Sequence, residues 1–281
     1  MEINIPKIPI GDFTERAIDY LTNNYAFITR AISGFLENGF DSFVNILNYF
    51  HPSIFIIFIF IIAYFIAGKK VAVFSAIGLL IVWNLGFWDS MLITLALVII
   101  STLISIIIGF PIGILASQYN FAYRIIMPIL DFMQTMPAFV YLIPAIPFFG
   151  LGAVSAMFST VVFSMPPTIR LTCLGIKQVP SDLIEASDAF GATRFQKLTK
   201  IQIPVSVPTI MAGINQTILL SLSMVVISAM IGAGGLGADV WRAIQRFQPG
   251  LGFEAGICIV VLAIILDRIT QNITKKNKKI S

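Results

Sequence analysis

Charge is what this 281-residue sequence has least of: 11% of its residues are Asp, Glu, Lys or Arg, against 57% hydrophobic. A mean hydropathy of +0.91 lies outside the range of water-soluble globular domains. Histidine occurs once, as His51, with no Cys, His or carboxylate cluster beside it in sequence, which argues against metal ligation. Cysteine occurs twice, and Cys173 and Cys258 both fall in or beside apolar runs, where packing rather than a structural disulfide is expected. No G-x-x-x-x-G-K-[ST] is present, so the chain shows no recognisable nucleotide site. No nucleophile, base and metal constellation supports an intramembrane enzyme. No basic groove suggests a nucleic-acid partner.

What is present is a series of apolar runs near the ~20 residues that a helix needs to cross ~30 Å of hydrocarbon. Seven spans are expected, at 53–68, 71–88, 91–116, 126–149, 153–172, 207–231 and 253–270. The first two are short enough to form a tight accessory hairpin within 51–90. Residues 1–50 lack the pattern of a removable signal peptide. They read as an amphipathic surface helix, with Phe13, Ala17, Leu21, Ile28, Ile32 and Phe35 near helical spacing and Asp12, Glu15, Arg16, Asp19 and Arg30 on the polar side.

Basic residues set the orientation, because Lys and Arg are retained on the cytoplasmic side. An outside N-terminus places 13 of the 18 inside, from Lys69 and Lys70 to the basic tail 271–281 with Lys275, Lys276, Lys278 and Lys279. Only Lys7, Arg16, Arg30, Arg242 and Arg246 remain outside. The C-terminus is then cytoplasmic.

The same topology exposes residues 173–206 to the cytoplasm, and this loop is longer than a connector requires. Asp182 and Glu185 suit the start of a short helix that Gly191 ends, since glycine takes the left-handed conformation without a Cβ clash. Thr193 and Gln196 fit a capping box that opens a second helix, with Phe195, Leu198 and Ile201 on one face and Pro204 as its terminator. Two amphipathic helices this short need a partner surface.

Other features are read from their composition. Pro128, Pro137, Pro144 and Pro147, with Gln134, make 126–149 a candidate pathway wall, because freed carbonyls survive only where protein or water satisfies them. Asn215, Gln216, Thr217, Ser221, Ser223 and Ser228 give 207–231 a polar side that faces either a pathway or neighbouring helices. Gln134, Pro137, Asn215 and Gln216 are the pathway candidates. Gly109, Pro111 and Gly113 read as a kink or a close helix contact. "GAGGLG" (232–237) follows a helix rather than a strand and reads as a flexible outer turn, and Trp83, Trp88 and Trp241 as interfacial aromatics.

Glu185-Ala186-Ser187, Gly191 and Ile201-Gln202-Ile203-Pro204 resemble the E-A-A-x3-G-x9-I-x-L-P signature of importer permeases in the ATP-binding cassette (ABC) superfamily. Ser187 stands for the second Ala and Ile203 for Leu. "DFMQTMPAFVYLIPAIPFFG" (131–150), "MPPTIRLTCLGIKQVPSDLIEASDAFGAT" (165–193) and "MAGINQTILLSLSMVVISAMIGAGGLG" (211–237) are similar to the permease subunits of glycine betaine and proline betaine importers. The resemblance implies an all-α integral membrane bundle of the ABC type I importer class over 91–270. It implies that Glu185, Ala186, Ser187, Gly191, Ile201, Ile203 and Pro204 dock an ATPase subunit. ATP and magnesium would then sit in that subunit, with no cofactor in this chain. An extracellular substrate-binding protein and a second copy of the chain complete the implied assembly, in the cell membrane. The alternative is a gradient-driven carrier, which needs buried ionisable groups; here Asp131, Glu254 and Asp267 all lie near span ends.

Overall fold

A computed structural model describes residues 9–277; Lys7, Lys278 and Lys279 lie outside them. Every regular element among the described residues is helical. Helix α1 (Ile10–Tyr49) runs the length of the amphipathic segment and kinks at Tyr25. Phe13, Leu21, Ile28, Ile32 and Phe35 are exposed along it, so the apolar stripe turns away from the bundle. Helices α2 (Pro52–Ala67) and α3 (Lys69–Asn84) form a hairpin about Gly68, whose φ of +87° suits glycine.

Helix α4 (Trp88–Gln118) is the central element, packed against α7 (Ala153–Lys177), α10 (Ile203–Ser228) and α11 (Gly235–Gln245), with α12 (Pro249–Asn277) against α3, α10 and α11. Met91, Leu92, Leu97, Val98, Met157, Val225 and Leu236 are fully buried at its centre. Small residues permit the close approaches. A Cβ on Gly113 would lie 2.7 Å from Thr172 Cβ, and one on Gly213 would lie 3.0 Å from the Pro167 carbonyl oxygen. The 109–113 run is therefore a close contact between α4 and α7.

Three described helices are long and apolar enough to cross a membrane: Trp88–Gln118, Arg194–Ile231 and Pro249–Ile273. Counting each bent pair as one span, Gly11–Tyr49 with Pro52–Ala67 (97°) and Asn120–Thr135 with Ala138–Phe149 (112°), raises this to five rather than seven. The difference is physical. Helices α2 and α3 have 16 residues each, about 24 Å of rise, short of the hydrocarbon core. Helix α7 has 25 residues, but its serines, threonines and Pro166-Pro167 dilute its hydropathy.

Two expectations about the outer segments are corrected. "GAGGLG" is a turn only in its first half: Gly232 and Gly234 take φ of +87° and +77°, whereas Gly235–Gly237 open α11, a helix absent from the sequence reading, and Leu236 N donates to Thr94 Oγ1 at 2.8 Å. A Cβ on Gly237 would stand 2.7 Å from Val226 Cα and one on Gly235 2.5 Å from Thr94 Oγ1, so the glycines that open α11 serve packing. Trp88 is 8% exposed and packs edge-on against Phe55 at 5.6 Å, a core residue rather than an interfacial one.

Candidate functional site

The segment after α7 carries the docking candidates. Helix α8 (Ser181–Ala189) follows Pro180, whose extended ψ of 136° turns the chain out of α7. Asp182 does not cap it: Pro180 holds the cap position, no side-chain cap bond forms, and Asp182 sits in the first turn, where a carboxylate favours the helix dipole. Gly191 has φ +74°, and Ala192 N and Gly191 N donate to the Ser187 and Asp188 carbonyls to close the turn. Thr193 then caps α9 (Arg194–Lys197) with the complete box, Gln196 N to Thr193 Oγ1 at 3.2 Å and Thr193 N to Gln196 Oε1 at 2.9 Å. Lys197 Nζ reaches Asp188 Oδ1 at 2.5 Å and pins the two helices together.

Pro204 does not end this helix. Leu198–Gln202 widen into a π turn, and the chain passes directly into α10 with Pro204 in its first turn. A π turn inserts the slack that lets a proline without an N–H follow on without breaking the helix. Gln118 Nε2 donates to Gln202 Oε1 at 3.1 Å, tying this turn to the end of α4.

The candidate residues divide between tip and base. Glu185, Ala186 and Gly191 are exposed at the tip, with Phe190 92% and Phe195 74% exposed beside them. Ser187 is buried and its Oγ donates to the Ile184 carbonyl at 2.7 Å, so it stabilises the tip from inside. Ile201 and Ile203 are half-buried and Pro204 is exposed, at the junction with α10. A cavity of about 590 Å³ separates tip from body, lined by Pro111, Leu115, Tyr119, Ile184, Phe195 and Leu198 among others. Two bare phenylalanines on a polar tip form a surface that fits an apolar cleft of another protein. The Asp188–Lys197 pair escaped the sequence reading, because partners nine positions apart across a glycine turn follow no helical period.

The pathway candidates separate in the same way. The 126–149 run is a broken span: α5 (Asn120–Thr135), a 3₁₀ turn (Ala138–Tyr141) and α6 (Leu142–Phe149). Protein hydroxyls reach carbonyls on both sides of the break, among them that of Met133, whose i+4 partner would be Pro137. Tyr141 Oη donates to the Met133 carbonyl, Ser159 Oγ to Tyr141 O at 3.1 Å, and Ser155 Oγ to the Ala145 and Gly150 carbonyls. Gln134 and Pro137 flank the break and are exposed. Asn215 is half-buried and its Nδ2 donates to Asp267 Oδ1 on α12 at 2.9 Å, while Gln216 is exposed. Thr217 bonds Thr168 at 2.7 Å, and Ser221 links Ser164 and Thr102, so these hydroxyls join helices. Arg170 and Asp131, unconnected by any sequence pattern, form an ion pair between α7 and α5.

Residues 105–279 match the family model described as binding-protein-dependent transport system inner membrane component. The chain belongs to this family. It is 52% identical over 278 residues to the glycine betaine transport system permease protein OpuAB of Bacillus subtilis, covering 98% of this chain and 97% of that protein. It is 49% identical to the glycine betaine/carnitine transport permease protein GbuB of Listeria monocytogenes (98% and 99% covered). It is 43% identical to the glycine betaine/proline betaine permease ProW of Escherichia coli (96% and 77% covered). Among solved structures, the inward-facing MetNI methionine ABC transporter superposes with a TM-score of 0.62 at 23% identity, covering 66% of this chain and 93% of the matched chain. The fold is that of an ABC type I importer transmembrane domain. As an inner-membrane permease subunit the chain is not itself an enzyme; it works with a separate ATPase and a substrate-binding protein.

Proposed function

We propose that this permease imports glycine betaine. Its full-length similarity to glycine betaine permeases carries the reading. The exposed helical pair 181–197 supports docking of the ATPase subunit, which holds ATP and magnesium. Two copies of the chain line one pathway, with N-termini outside and C-termini in the cytoplasm, as the Lys and Arg distribution favours. Residues 1–50 brace the membrane surface, 51–90 add an accessory hairpin, 91–270 form the translocation unit, and 271–281 form a basic tail. Glu185, Ala186 and Gly191 make the docking contact. Ser187 supports the tip from inside, Ile201, Ile203 and Pro204 hold its base, and Gln134, Pro137 and Gln216 face the pathway. Asn215, bonded to Asp267, secures α10 to α12 beside it.

Substrate capture falls to the extracellular receptor, whose aromatic faces suit a quaternary ammonium. Uptake of labelled glycine betaine into proteoliposomes holding this chain, the ATPase and the receptor tests the reading. Uptake is expected to require ATP and to be competed by unlabelled betaine more strongly than by carnitine, choline or proline. Uptake that persists without the ATPase and collapses with a proton or sodium gradient refutes it.

A further inference from the structure

A cavity of about 320 Å³ opens between α5 and α7, lined by Tyr123, Met127, Asp131, Arg170, Cys173 and Lys177 among others. This is at the small end of ligand pockets. Lys177 follows Arg170 by two turns of α7, about 10 Å nearer the docking loop. Two charge contacts cross the walls: Arg170 Nη2 donates to Asp131 Oδ1 at 2.5 Å, and Lys177 Nζ stands 3.4 Å from the centre of the Tyr123 ring.

Neither contact is sealed. The Asp131 and Arg170 side chains are 65% and 39% exposed, and an ion pair this open is screened by solvent, so it does little to hold α5 on α7. Arg170 Nε is buried and has no hydrogen-bond partner among the described residues, so the Asp131 contact is the side chain's one ion pair there and the Nη groups are what a ligand reaches. Arginine binds carboxylates through two parallel N–H groups. An aromatic ring under a cation is the matching receptor for an ammonium.

Together these are the two recognition groups for a small zwitterion. We propose that the cavity is a transit site for a quaternary-ammonium carboxylate, in which Asp131 and Lys177 occupy Arg170 and Tyr123 while no substrate is present. The proposal rests on the importer reading above and deepens it. An entering zwitterion places its carboxylate on Arg170 and its ammonium on the Tyr123 ring, displacing both internal partners. The substrate thus exchanges with interactions the protein already makes, so binding is weak. Weak binding suits passage toward release, whereas capture stays with the receptor.

The test uses the permease–ATPase complex in nanodiscs without receptor, carrying Met127→Cys as a thiol reporter. Labelling of the parent chain, whose Cys173 and Cys258 are buried, is subtracted. Glycine betaine at millimolar concentration is expected to slow alkylation, about twofold when it equals the dissociation constant. Tetramethylammonium or acetate alone should protect less. Tyr123→Leu and Arg170→Gln should each abolish protection, and Tyr123→Phe, which keeps the ring, should retain it. An unchanged alkylation rate with glycine betaine, or protection that survives both Tyr123→Leu and Arg170→Gln, overturns the site. ATP-driven uptake with no protection refutes this proposal alone, whereas ATP-independent uptake refutes the importer reading.

Discussion

A methyl group on Gly113 would meet Thr172 Cβ at 2.7 Å and the Ile169 carbonyl oxygen at 2.8 Å, and neither can retreat without moving a helix. Gly113→Ala is therefore expected to destabilise the protein by about 1–3 kcal/mol, seen as a lower unfolding temperature in detergent. Gly34→Ala, which meets nothing within 4 Å in the middle of α1, should leave that temperature unchanged or slightly raised. Gly191 tests the docking tip. Its φ of +74° is closed to proline, so Gly191→Pro should give an inserted permease that no longer stimulates its ATPase. Glu185→Arg should do the same by reversing charge at the exposed tip, and wild-type stimulation in either variant would contradict docking there. The glycine turn was legible from sequence because φ of +74° is a local backbone requirement, and Gly109 and Gly113 because two glycines inside an apolar helix mark a close approach. The pairs Asp131–Arg170 and Asn215–Asp267 were not, because their partners come from helices far away in the chain.

Among the elements, the broken span shows how prolines are tolerated at membrane depth. Its four prolines announced a break, but the hydroxyls that repair it belong to α7 and carry no signal in the 126–149 run itself. Ser155→Ala with Ser159→Ala removes these hydroxyl bonds to the Tyr141 and Ala145 carbonyls, at about 1 kcal/mol for each net hydrogen bond lost. Hydrogen exchange should then speed up across 136–150 while α4 and α12 stay protected; uniform exchange over all helices would argue against a local role. Pro204 was misread for a related reason. A proline ends a helix only if the preceding turn keeps its α spacing, and the π turn at 198–202 does not. Helix α11 was missed because its glycines read as loop composition, when here they are contact surfaces.

For the whole molecule, the all-helical membrane class and the importer family were readable from hydropathy and from the long runs on both sides of the docking loop. The span count depends on how short and bent helices are counted. Length and composition count each helix alone, whereas α2, α3 and α7 owe their place to packing against α4, α10 and α12. Orientation has its own check. A cysteine at position 188 should react with a membrane-impermeant reagent only after the cytoplasmic side is opened, and reaction in intact cells would invert the topology.

The π turn joins the docking loop to α10 in one unbroken helical path, Arg194–Ile231, 38 residues and about 55 Å long. A displacement imposed at its loop end would therefore travel along one continuous helical path, with the π turn at 198–202 as its irregular joint. If the loop is pushed, such a path would lean as a lever, and the length of the arm rather than a chain of contacts would set the stroke.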